Sequence, residues 1–149
     1  SRERGAGVRA ALAAAGLALA DTHVRYGAIA LDSGRKAMHE LLALSPRPTA
    51  VVATNDVFAV GAMLACREAG VRIPDDVSIT GVDDTDLGAT QTPGLTSIRT
   101  PIVEIGRAAA HQLVARLEGR PAELSQQLPF ELVRRGSTAA PPRNARSRR

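Results

Sequence analysis

The sequence holds one cysteine, Cys66, no tryptophan, one tyrosine and two phenylalanines. A lone cysteine excludes an internal disulfide and fits a reducing cytoplasm. Tyr26, Phe58 and Phe130 are its only aromatic residues. A ligand pocket here must therefore use mostly aliphatic and polar groups. No apolar run reaches the ~18 residues of a membrane-spanning helix, so no membrane partner is expected. The three histidines, His23, His39 and His111, are far apart and form no H-x-x-x-H, which argues against a metal site. No G-x-S-x-G elbow occurs, and Cys66 falls inside an expected helix, where a core or interface thiol is the ordinary role. Without a nucleophile beside an acid–base pair, no enzyme and no cofactor are expected.

Acidic residues are also missing after Glu131, where Arg143, Arg146, Arg148 and Arg149 follow. Those four arginines account for the whole net charge of +4, leaving 15 basic and 15 acidic residues in the body. A neutral body argues against a nucleic-acid-binding face. Residues 137–149 are expected to be a basic, disordered, solubilising tail.

The chain, 149 residues with 44% hydrophobic and 23% charged, suits one soluble domain. Strand and helix signals alternate. Residues 2–15 read as a helix closed by Gly16. His23 to Tyr26 reads as a short strand. Asp32 or Ser33 is placed to cap a helix running to about Leu44, stopped by Pro46. Residues 49–54 form an apolar run typical of a buried parallel strand. Asn55 or Asp56 caps a helix that closes at Gly70. Residues 77–82 are a second buried strand, 83–95 a polar loop, and 96–99 extended. Pro101 opens a helix ending near Glu118, and residues 128–134 are a last strand. The alternation predicts an α/β fold with a mostly parallel sheet flanked by helices.

In such sheets ligands bind outside the carboxyl ends of the strands. Asn55-Asp56 and Asp83-Asp84 each follow a strand there. Asn55 can donate and accept, and an ionised Asp83 accepts. With Arg4 as a planar donor, they suit a ligand rich in hydroxyl or N–H groups. The plainer alternatives are a helix cap for Asn55 and a turn residue for Asp83. Asp83-Asp84-Thr85-Asp86 resembles only part of a calcium loop, because its glycine and later glutamate are out of place. Gly5-Ala-Gly7-Val-Arg-Ala10 has dinucleotide-fingerprint spacing, but that motif needs a strand before it. Here the segment reads as helix, with small residues that permit close packing.

An ordered set of stretches resembles the second half of the LacI/GalR transcriptional regulators. It comprises Arg4-Gly-Ala-Gly7, Asp32-Ser-Gly34, Arg47-Pro-Thr-Ala50, Ala53-Thr-Asn-Asp56, Ala59-Val-Gly-Ala62 and Arg67-Glu-Ala-Gly70. Ile73-Pro-Asp-Asp-Val-Ser78, Gly81-Val-Asp-Asp84, Pro93-Gly-Leu-Thr-Ser97 and Leu132-Val-Arg-Arg-Gly-Ser-Thr138 continue it. The resemblance implies a periplasmic-binding-protein-like core, present here only in part. Residues 1–136 would be the partial effector-binding and dimerisation domain. It implies effector contacts at Arg4, Asn55 and Asp83, with Ile29, Thr100 and Ile102 lining the pocket. Aliphatic residues at 29 and 102 argue against a sugar stacked on an aromatic ring at those places. The implied effector is a small sugar, polyol or sugar phosphate. The helix from Asn55 to Ala69 and the loop from Asp84 to Leu95 resemble the family's dimer surface, which implies Phe58 and Met63 at a homodimer interface; packing within the chain is the equal alternative for both. Operator DNA would be bound through an N-terminal helix-turn-helix that this sequence does not contain. The rival reading is a periplasmic sugar-binding component of a transporter.

Overall fold

In a computed structural model, residues 2–122 and 125–141 are described. Helix α1 (Arg2–Ala14) is followed by a 3-10 turn (Asp21–His23) and helix α2 (Leu31–Leu42). Strand β1 (Ala50–Val52), helix α3 (Asp56–Glu68) and strand β2 (Ser78–Val82) come next. A short helix α4 (Asp86–Ala89), strand β3 (Thr96–Arg99), helix α5 (Ile102–Leu117) and strand β4 (Glu131–Val133) complete the order. The sheet runs β1-β2-β3-β4. Its first three strands are parallel, and β4 pairs antiparallel with β3, Arg99 opposite Glu131.

The core lies between α2, α3 and β2. Met38, Leu41, Ala59, Met63, Cys66, Val77, Ile79 and Leu95 form it. Helix α3 is apolar on most sides, with eight buried residues, because it lies between α2 and the sheet. Small residues let the two helices approach closely. A methyl on Gly34 would sit 2.3 Å from the Phe58 carbonyl oxygen.

At the ends of the chain the packing is sparser. Helix α1 has no buried residue, and α5 buries only Ala115. Nothing lies within 4 Å of where a Cβ would stand on Gly5 or Gly7, so the close packing expected there is absent.

Several local expectations are corrected. Residues 24–26 form no strand among the described residues, because the chain turns through Asp21–His23 and pairs with no neighbour. Helix α2 begins at Leu31, before either expected cap; Ala30 stands at the cap, two residues before Asp32 and three before Ser33, with no side-chain hydrogen bond. The expected loop 83–95 contains α4, capped by the Thr85 side chain on the Gly88 amide.

The expected tail boundary at 137 is also moved. Ser137 is fully buried. Its hydroxyl donates to Ile79 O at 2.6 Å and accepts from the Thr96 amide at 2.8 Å. Its carbonyl accepts from the Ile79 amide at 2.9 Å. The residue thus links Ile79 of β2 to Thr96 of β3. Residues 142–149 lie outside the described residues, so the disorder expected of that stretch does too.

Candidate functional site

Strands β1 and β2 pair in register, Val52 with Thr80, so the segments that follow them open side by side. After β1, Asn55 caps α3: its Oδ1 accepts from the Phe58 amide at 2.8 Å. That leaves the two amide N–H donors as the part of Asn55 suited to a ligand. The residue is buried, so any such contact is narrow.

After β2, Asp83 begins a tight turn with φ 109°. Its amide donates to Ile98 O at 2.8 Å. Burial raises the Asp83 carboxyl above the usual aspartate range; Arg4 works against the rise and Asp56 adds to it.

Arg4 joins the two segments from α1. Its guanidinium donates to the Thr54 carbonyl, next to Asn55. It also stands 3.9 Å from Asp83 Oδ1. Arg4 is therefore brought beside Asp83 and beside the backbone carbonyl that precedes Asn55. About a third of the Asp83 side chain and 44% of that of Arg4 stay exposed, so a solute can reach both.

Arg4 also lines an open cleft of about 630 Å³ with Val82, Ile98, Thr100, Ile105, Gln112 and Phe130 among its other walls. Of the three expected pocket-lining residues, only Thr100 is among those walls. Ile29 and Ile102 are not; they are 76% and 64% exposed.

Sequence reasoning missed the α5 wall, made by Ile105, Ala108, Ala109 and Gln112. Their spacing of three and four residues is the signal that would have found it. It also missed Phe130, an aromatic on the cleft wall.

The neighbour of Asp83 is bound differently. Asp84, only 5% exposed, meets Nε of Arg99 at 2.7 Å and Nη2 of Arg135 at 2.6 Å. Burial works to raise its carboxyl, and Arg135 and Arg99 overcome that and hold it below the usual range. The carboxylate is used within the fold. Among the described residues no group of three or more His, Cys, Asp or Glu side chains is placed to hold a metal.

The expected interface pair is corrected in part. Met63 is 2% exposed and sits in the chain's own core, because α3 turns that face onto α2 and the sheet. Phe58 is half-buried, its ring 3.3 Å from where a Cβ of Gly27 would stand.

The model of the periplasmic binding protein-like domain matches residues 1–138. The chain belongs to that family. Its relatives are LacI-type regulators. The HTH-type transcriptional regulator CelR of Thermobifida fusca is 40% identical over 121 residues, covering 81% of this chain and 36% of CelR. The HTH-type transcriptional repressor CytR of Escherichia coli K12 is 38% identical over 133 residues, covering 89% of this chain and 39% of CytR. A solved CelR–cellobiose complex superposes with a TM-score of 0.84 at 38% identity, covering 91% of this chain and 42% of that one. The chain therefore spans about two fifths of the length of these relatives, a partial periplasmic-binding-protein-like fold. No helix among the described residues is long and apolar enough to cross a membrane.

Proposed function

We propose that this chain is the ligand-sensing part of a LacI-type transcriptional regulator, binding a small, hydroxyl-rich effector at Arg4, Asn55 and Asp83. One observation carries the reading. An arginine from α1 bridges the segments following β1 and β2, in a chain whose relatives are regulators. The donor–acceptor set suits the hydroxyls of a saccharide, and the CelR structure is of a cellobiose complex. The effector class is a small sugar or polyol, with no enzymatic turnover.

Binding at the crevice shifts the balance between two arrangements of a longer, cytoplasmic, homodimeric protein and so changes its hold on operator DNA. A coupling of ~1–3 kcal/mol changes operator affinity by about 5- to 150-fold. A transport binding protein would use the same crevice, but the relatives named above are HTH-type transcriptional regulators by name.

The test uses the complete protein and a panel of small sugars beginning with cellobiose. Operator binding is followed by fluorescence anisotropy as each sugar is added. Asp83→Ala should abolish the response while leaving operator binding intact. An unaltered titration in Asp83→Ala removes Asp83 from the site. An unprocessed natural product carrying a helix-turn-helix supports the regulator; one processed after a secretory signal supports the transporter.

A further inference from the structure

The turn after β2 puts two non-glycine residues in succession at positive φ, Asp83 at 109° and Asp84 at 53°. Aspartate visits the left-handed well near +57°, but 109° lies beyond it. Such a conformation persists only where its surroundings over-determine it.

Each amide of this turn is held. Asp83 N–H donates to Ile98 O at 2.8 Å, Asp84 N–H to Ser97 Oγ at 3.1 Å, and Thr85 N–H to Asp56 Oδ2 at 2.6 Å. Two of these bonds lead to one carboxylate. Ser97 Oγ, having accepted from Asp84, donates its own proton to Asp56 Oδ1 at 2.6 Å. Thr85 Oγ1 adds a bond to Asp56 Oδ2 at 3.0 Å.

Asp56 is 1% exposed and Ser97 fully buried. The donors around the carboxylate are a backbone amide and two hydroxyls. Its space depends on two glycines. A Cβ on Gly81 would stand 2.2 Å from Asp56 Oδ1, and one on Gly88 would stand 3.2 Å from Oδ2. Asp56 also follows Asn55 directly in the chain, at the first turn of α3.

We propose that Asp56 and Ser97 are positioning residues. They clamp the Asp83–Asp84 turn in its strained form and so fix the spacing between Asn55 and Asp83. The inference rests on the reading of those two residues as ligand contacts. A buried carboxylate linked to both sides of the crevice lets a ligand meet donors and acceptor already in place. The ordering cost is then met in folding rather than in binding.

The test reads the turn itself by NMR in the 149-residue chain. In the wild type, Asp83 and Asp84 should show the strong intraresidue HN–Hα cross-peaks of positive φ. The Asp84 and Thr85 amides should exchange as slowly as those of β3. Exchange at open-loop rates overturns the clamp without any variant. Ser97→Ala should speed exchange of the Asp84 amide at least tenfold and weaken the Asp83 cross-peak. Ser97→Thr, which keeps the hydroxyl, should restore both. A folded Ser97→Ala with an unchanged turn overturns the proposal. If the turn loosens as expected while Asp83→Asn leaves sugar binding intact, the clamp is supported and the ligand reading alone fails.

Discussion

Gly34 and Gly61 face each other across the α2–α3 contact. A Cβ on Gly61 would stand 2.2 Å from Leu31 O and 3.1 Å from the Gly34 Cα. Backbone rather than flexible side chain occupies that space, so the helices must separate to admit a methyl group. Gly34→Ala should lower stability by ~1–3 kcal/mol through overpacking. Urea denaturation followed by circular dichroism checks this, and an unchanged midpoint refutes it.

The Asp84 carboxyl provides an acid-sensitive lock. Its value is below that of the unfolded chain, so its stabilisation is complete above the ordinary aspartate range. It is lost as pH falls through the lowered value. Asp84→Asn should lose ~1.5–3 kcal/mol at neutral pH, the usual worth of hydrogen bonds to a charged group. Its acid limb should be shallower than that of the wild type. Parallel acid titrations of wild type and variant, followed by circular dichroism, test both points.

Asp83 behaves oppositely. Its carboxyl is raised by burial, so its charge costs stability at neutral pH, and that cost vanishes as pH falls through the raised value. In the role proposed for Asp83, ligand binding needs the charged form. Affinity should therefore decline on acidification, starting above the ordinary aspartate range. Calorimetric titration of a responding sugar across pH checks this; a flat profile contradicts the role given to Asp83.

Ser137 should matter more than its place near the end of the sequence suggests. Removing its hydroxyl takes a donor from Ile79 O and an acceptor from the Thr96 amide. A buried polar group left unsatisfied costs ~1–3 kcal/mol. Ser137→Ala should lower the melting temperature measurably, and a chain ending at Gly136 should melt lower still. Differential scanning fluorimetry of the two against wild type decides it.

Much of this fold is legible from local pattern. Residues 77–82 and 102–117 announce themselves by apolar runs, by Pro101 and by the closing Gly119. The crevice follows from strand polarity, which places Asn55 and Asp83 at adjacent strand ends. Three things were not local. Asp56 turns inward because Gly81 and Gly88, far along the chain, leave room for its carboxylate. Ser137 is buried because it links Ile79 of β2 to Thr96 of β3, a contact that pattern cannot show. Met63 belongs to the core because α3 is covered on two faces, while periodicity reveals only that it is apolar.

Strands β3 and β4 lie side by side and antiparallel, with Arg99 Nη1 2.7 Å from Glu131 Oε2 at their open end. Everything between them, α5 included, leaves and returns through one doorway. In outline this is a hairpin with a very long loop. Closing a loop costs only ~0.6 kcal/mol more for each doubling of its length, so the excursion is thermodynamically cheap to carry and to exchange. A short turn joining Thr100 to Phe130 should leave the four-stranded sheet and the clamp behind Asp83 standing. A change in the length of the excursion should then leave the pairing of the sheet unaltered.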